Sequence, residues 1–71
     1  MKAQDYKIEI LPIAPADGGG FLASVPDLPG CKSDGETEAE AVANVRDAIE
    51  CWIEAASQMG RPIPEPLRVY A

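Results

Sequence analysis

A long segment without proline or glycine dominates this chain. It runs from Thr37 to Met59 and is followed by Gly60 and Pro62, which stop a helix. Thr37 and Glu40 form a capping box, in which the Thr hydroxyl accepts a hydrogen bond from the first turn and the Glu carboxylate reaches back. At 1.5 Å per residue the helix is roughly 33 Å long. In a chain of 71 residues, such a helix must supply most of one layer of the fold.

The predicted helix has two opposite faces, because successive side chains are about 100° apart. A broad apolar arc is formed by Ala41, Val42, Val45, Ala48, Ile49, Trp52, Ile53, Ala56 and Met59. The opposite side carries the acidic residues Glu40, Asp47, Glu50 and Glu54. Cys51 falls near the acidic side. We therefore expect Cys51 to be partly exposed, or covered by another subunit.

The first half of the chain predicts three short antiparallel strands. Apolar and polar side chains alternate in residues 5–14 and 21–25, and residues 31–34 form a short third strand. Residues 15–20 end in three glycines and predict the first hairpin turn, since glycine adopts positive φ without steric cost. A phosphate-binding loop would need a helix directly after the glycines, and a strand follows instead. Pro12 lacks an N–H, so the first strand frays or lies at an edge there.

Prolines shape the remaining connections. Pro26 and Pro29 cannot lie in a central strand ladder, so they predict a rigid turn that reverses the chain, with Gly30 providing the exit. After the helix, the prolines of residues 61–66 favour an extended path, along which residues 67–70 can form a last short strand. The predicted fold class is α+β. Residues 1–71 form a single two-layer β-β-β-α-β domain with one long helix packed on a small sheet.

One helix cannot cover both faces and both edges of a sheet. Leu11, Ile13 and Leu22 alternate away from the side chains that face the helix. We therefore expect a homodimer or higher homo-oligomer that uses the bare face or an edge. A monomer with a solvated outer face is the alternative.

The charge and the termini restrict location and partners. The formal charge is −6, which disfavours direct binding of nucleic acid and favours a basic protein partner. No apolar run approaches the roughly 20 residues that span a bilayer. The N-terminus lacks the apolar core of a signal peptide, so we expect a cytoplasmic protein.

The residue types needed for catalysis are scarce, and we expect no enzyme, cofactor or metal site. The chain has no His and two Cys, short of a zinc ligand set. Cys31 and Cys51 are expected as free thiols in a reducing cytosol, although a disulfide between them stays open. Lys32 adjoins Cys31 but should point to the opposite face of its strand, so it would not activate the thiol. The helix acids and Glu9 should not converge on a catalytic metal ion.

The acidic side of the helix has two interpretations. Charge runs usually form solvated helix faces, and that is the commoner explanation. The functional alternative is that Glu40, Asp47, Glu50 and Glu54 form a docking face for a basic partner.

Several of these features together resemble the HicB family of antitoxins. The resemblance rests on the sequence Val-Pro-Asp-Leu-Pro-Gly-Cys at residues 25–31, Gly-Glu-Thr at residues 35–37 and Ile-Pro-Glu-Pro at residues 63–66. It covers about residues 6–70. It implies a partial RNase H-like fold without RNase H catalysis, and an antitoxin that oligomerises.

The resemblance also implies a partner. HicB-type proteins bind and neutralise a small basic mRNA-cleaving toxin, HicA, by blocking its active site. Many of them continue into a C-terminal DNA-binding domain, whereas this chain ends at Ala71. We therefore expect the short form, without operator binding of its own. The alternative is an orphan oligomeric binding module with no toxin partner.

Overall fold

The computed structural model describes residues 5–65, which form one antiparallel sheet and one long helix. Three strands make up the sheet: β1 (Glu9–Pro12), β2 (Phe21–Ser24) and β3 (Lys32–Gly35), in the order β1-β2-β3. The helix α1 (Glu38–Gln58) packs on one face, mainly against β3. The α+β class is confirmed. The last strand predicted at residues 67–70 lies outside the described residues, and the RNase H-like relationship stays a prediction.

The hairpin between β1 and β2 turns at the three glycines that predict it. Its turn contains a short 3-10 helix, Pro15–Asp17, which was not predicted. Gly18, Gly19 and Gly20 all have positive φ, and the Ile13 amide donates to the Gly20 carbonyl at 2.9 Å. The glycines therefore close a hairpin, as predicted.

Strand β1 is shorter than the predicted residues 5–14. In its register Glu9 pairs with Ser24, so Lys7 would have to pair with Pro26. Pro26 has no N–H, and the amide of Val25 is already donated to the Cys31 carbonyl at 3.0 Å. The strand therefore begins only at Glu9. Within the described sheet β1 is an edge strand, as Pro12 predicts.

Strand β3 ends one residue later than predicted, at Gly35. A Cβ at Gly35 would lie 2.5 Å from the Ala41 amide nitrogen and 2.8 Å from the Glu40 carbonyl carbon. Gly35 is thus the point where the first turn of α1 touches the sheet backbone, because no side chain separates them.

The helix has the ends that the sequence predicts. The Thr37 hydroxyl accepts a hydrogen bond from the Glu40 amide at 3.1 Å, which confirms the N-terminal cap. At the other end Gly60 has φ 68°, and its amide donates to the Ser57 carbonyl at 3.2 Å. Both ends of the helix are therefore determined by residues close to them in the sequence.

The core lies between α1 and the inner face of the sheet. Its buried residues are Tyr6, Ala23, Val25, Leu28, Cys31, Ala41, Val45, Ile49 and Ala56. All helical members of the core belong to the predicted apolar arc, and the other residues of that arc are half-buried except Met59. The helix wheel predicts that Met59 faces the core, and this is wrong, because Met59 is 65% exposed. A 21-residue helix is about 31 Å long and four-residue strands about 13 Å, so the last turn extends past the sheet.

Candidate functional site

The outward side of α1 carries a row of exposed carboxylates. Glu40, Asp47, Glu50 and Glu54 are all exposed, opposite the buried residues of the helix. We call these four residues the acidic helix face. They extend over about 21 Å of helix. Neighbours such as Glu50 and Glu54, one turn apart, repel each other mildly, so the row contributes little to helix stability.

The acidic surface continues from the helix toward the first hairpin. A shallow groove of about 520 Å³ is lined by Gly18, Gly19, Gly20, Asp34, Gly35, Glu36, Glu40 and Asn44. At its base the Asn44 amide donates to the Asp34 carbonyl at 2.8 Å, which joins the helix to the edge of β3. Within residues 5–65, no group of Cys, Asp or Glu side chains is arranged to hold a metal ion. The groove therefore adds negative surface without forming a metal centre.

The proline-containing connection between β2 and β3 is structural. We call residues 26–30 the proline turn. Leu28, at its centre, is fully buried, and its backbone bonds to Val25 and Cys31 at 3.1 and 3.0 Å. The Trp52 indole donates to the Pro29 carbonyl at 3.0 Å. The turn is thus anchored to the core by a side chain and to the helix by a hydrogen bond.

A second anchor holds the segment after the helix. The Tyr6 hydroxyl donates to the Pro64 carbonyl at 2.6 Å, and Tyr6 is 4% exposed. Burial raises the pKa of Tyr6 above its usual value, and the negative charges of Asp27, Asp5 and Glu65 raise it further. The hydroxyl therefore acts as a neutral donor. Tyr6 was predicted as a strand residue, and nothing in the local pattern indicated its partner 58 positions away.

The two cysteines have opposite environments, and both are free thiols. Cys51 is exposed on the helix, as predicted. Cys31 is buried, and burial raises the pKa of its thiol, which makes the nucleophilic thiolate less available. Lys32 is exposed while Cys31 is buried, consistent with side chains on opposite faces.

The second face of the sheet carries both apolar and charged side chains. We call it the outer sheet face, and it consists of Glu9, Leu11, Leu22, Ser24, Lys32 and Asp34. The inner neighbours Ala23 and Val25 are buried beneath α1, so the alternate residues point away from the helix. Leu11 is 62% exposed. No described helix lies on this face, and none of the described helices is long and apolar enough to cross a bilayer.

The sequence of this chain matches a known protein family. A model described as the HicB_like antitoxin of bacterial toxin-antitoxin system matches residues 6–71. A UPF0150 protein of Thermoplasma acidophilum is 36% identical over 59 residues, which cover 78% of this chain and 86% of that protein. A UPF0150 protein of Synechocystis is 43% identical over 47 residues, or 66% of this chain and 60% of that protein.

A phage protein is similar over part of its length. An uncharacterized 14.9 kDa protein of Haemophilus phage HP1 is 40% identical over 53 residues, covering 72% of this chain. The match spans 40% of the phage protein. The chain thus corresponds to most of the Thermoplasma relative and to smaller shares of the Synechocystis and phage proteins named here.

Proposed function

The chain belongs to the HicB-like antitoxin family of bacterial toxin–antitoxin systems, and from that premise we propose that it neutralises a small basic mRNA-cleaving toxin of the HicA type. An antitoxin role, with a toxin as partner, is what membership of the family indicates. The observation that carries the more specific proposal is the acidic helix face, where four carboxylates are exposed along one side of a single helix.

Electrostatics explains why this surface suits such a partner. A protein that cleaves mRNA binds a phosphate backbone, so its RNA-binding surface is rich in Lys and Arg. A row of carboxylates is complementary to that surface and competes with the RNA for it. With a chain charge of −6, the same complementarity also accelerates association.

The proposed mechanism is occlusion by binding. Cys31 is a poor nucleophile, because burial raises the pKa of its thiol. The acidic helix face lies on a capped, regular helix, so little conformational entropy is lost when a partner docks on it. Because the toxin acts on mRNA, we place the complex in the cytoplasm, and we propose that the antitoxin within it is a homodimer or higher homo-oligomer.

The proposal is tested by removing charge from the acidic helix face. The variant Glu50→Gln/Glu54→Gln is compared with the control Asp17→Asn/Glu38→Gln, which changes the net charge equally at exposed positions off that face. The binding partner in the experiment is a HicA-type toxin, carried as a catalytically inactive variant. Dissociation constants are measured by calorimetry at several NaCl concentrations.

We expect the Glu50/Glu54 variant to bind at least ten times more weakly, with a smaller dependence on salt, while the control changes little. Equal weakening by both variants would mean that only net charge matters, and would contradict the docking face. In a growth assay with the active toxin, failure of the wild-type chain to rescue growth would contradict the antitoxin role itself. It would favour the orphan binding module.

A further inference from the structure

Three carboxylates of the acidic helix face follow a seven-residue repeat. Glu40, Asp47 and Glu54 are separated by seven residues each, which is close to two turns of helix and about 10.5 Å along the axis. All three side chains are exposed, and Glu50 lies beside them, one turn before Glu54. Two turns return a side chain to almost the same direction, with a drift of about 20°. The three carboxylates therefore form a nearly straight row along α1.

The positions between these carboxylates carry small side chains. Ala43 lies between Glu40 and Asp47 on the same side of the helix. Cys51 lies in the same way between Asp47 and Glu54, and both small residues are exposed. Packed helices have axes about 8–10 Å apart, and small side chains at the contact favour the shorter distance. A second helix can therefore approach the row closely and place its side chains in the gaps between the carboxylates.

The charge of the row determines which kind of molecule can occupy it. A second copy of this chain would bring four carboxylates against four others, and nucleic acid or anionic lipid would be repelled in the same way. A favourable occupant therefore presents cations, which in a protein are the side chains of Lys and Arg. The formal charge of −6 on the whole chain adds a longer-range attraction for such a partner.

The spacing of the row favours a helical partner over an extended one. On a strand, side chains that share a face recur about every 6.8 Å, so cations lie about 7 or 14 Å apart. Neither distance matches carboxylates that repeat at about 10.5 Å. On a helix, Lys or Arg residues seven positions apart repeat at that same distance. Two helices that cross at about 20° also stay side by side over several turns.

We propose that the acidic helix face binds a basic helix of the toxin, laid lengthwise along α1, with Lys or Arg side chains at seven-residue spacing opposite Glu40, Asp47 and Glu54. This rests on the proposed function, because it specifies which part of the toxin the face holds. Ala43 and Cys51 give the partner helix room to approach. Exposed ion pairs are individually weak, so selectivity comes from the match along the whole row.

Two synthetic peptides of equal composition test the spacing. Both are alanine-based helices of about 21 residues with three Arg residues. In the first peptide the Arg residues are seven positions apart and lie on one side. In the second they are five positions apart and point in different directions around the helix. Fluorescence anisotropy measures their binding to the wild-type chain at about 20 mM NaCl, where screening is weak, and circular dichroism checks that their helicity is equal.

We expect the peptide with seven-residue spacing to bind at least fivefold more tightly than the other peptide. Equal affinities would overturn the proposal, because net charge alone would then explain the binding. The absence of binding by either peptide up to about 1 mM would also overturn it.

A single charge removed from the middle of the row provides the matched variant. Asp47→Asn should reduce the preference for seven-residue spacing to about twofold or less. The control Glu38→Gln, at an exposed position in the first turn of α1 but off the row, should keep the full preference. Both substitutions change the net charge equally and alter the shape of the side chain little. An equal loss of preference in the two variants would contradict the alignment along the row.

The peptide experiment and the growth assay can fail separately. A chain that rescues growth but binds both peptides equally would be an antitoxin that holds its toxin in another way. A chain that prefers the seven-residue spacing but does not rescue growth would keep the helix-binding site and lose the antitoxin role.

Discussion

The hydroxyl of Tyr6 donates a 2.6 Å hydrogen bond to the carbonyl oxygen of Pro64, 58 positions further along the chain. The bond joins the residue just before the sheet to the segment just after the helix. Arg61 to Pro64 has no regular secondary structure of its own. Its position therefore depends on tertiary anchors such as this one.

Replacing Tyr6 by Phe should destabilise the fold by about 1 kcal/mol, because the Pro64 carbonyl loses its donor while the ring still fills its place in the core. Urea unfolding measures the effect as a lower midpoint with an unchanged slope. An unchanged midpoint would show that water replaces the hydroxyl without loss, and that the anchor contributes nothing to stability.

The domain should lose stability in alkaline solution. The folded chain holds the pKa of Cys31 above 9.0 and the pKa of Tyr6 above 10.0. The unfolded chain ionises these groups at lower pH and then binds fewer protons than the folded chain, so stability falls as pH rises. Their contribution is complete below about pH 8 and is lost progressively from about pH 9 upward.

The two cysteines allow a controlled test of that pH dependence. Urea midpoints are measured from pH 7 to 11 for the wild type, Cys31→Ala and Cys51→Ala. We expect a shallower alkaline decline in Cys31→Ala, and a wild-type profile in Cys51→Ala because Cys51 is exposed. Parallel profiles in all three proteins would contradict the contribution of the buried thiol.

The proline turn should be among the positions most sensitive to truncation. Leu28 is fully buried, so Leu28→Ala should cost about 2–5 kcal/mol, which is enough to unfold much of a domain this small. Met59→Ala, at a side chain that is 65% exposed, should cost less than about 0.5 kcal/mol. Thermal and urea unfolding measure both variants. A small loss at Leu28 would mean that the turn can detach without disturbing the core.

Gly35 should tolerate no side chain. The Cβ of Gly35→Ala would meet the backbone of Ala41 at 2.5 Å, so helix and sheet must separate, at a cost of about 1–3 kcal/mol or more. In Gly19→Ala the new Cβ meets nothing within 4 Å, and the cost is limited to the positive φ of 71°, about 1–2 kcal/mol. Gly35→Ala should therefore have the lower unfolding midpoint. The reverse order would show that turn strain outweighs the close contact.

Local sequence signals predicted most of the secondary structure. Thr37 and Gly60 mark the ends of the helix, and the glycines before Phe21 mark the hairpin. The exposure of Cys51 followed from the helix wheel. These features depend on residues only a few positions apart, where backbone geometry and side-chain period are decisive.

Long-range contacts were not predictable in the same way. Leu28 lies between two prolines in a turn, where exposure is the usual outcome, yet it is fully buried in the core against which Trp52 packs. The exposure of Met59 depends on the strands being shorter than the helix. The length of β1 depends on where Pro26 falls in the register of the sheet. For the acidic helix face, the structure gives exposure and alignment, and its partner remains a proposal.

The two-layer arrangement has a consequence for how the domain is assembled with others. The outer sheet face and α1 lie on opposite sides of the sheet. A protein bound to the outer sheet face therefore leaves the acidic helix face accessible. A pair of chains joined through their sheets would carry its two acidic helix faces on opposite outer surfaces. Such a pair is bivalent, and two partners attached to it would not compete for space.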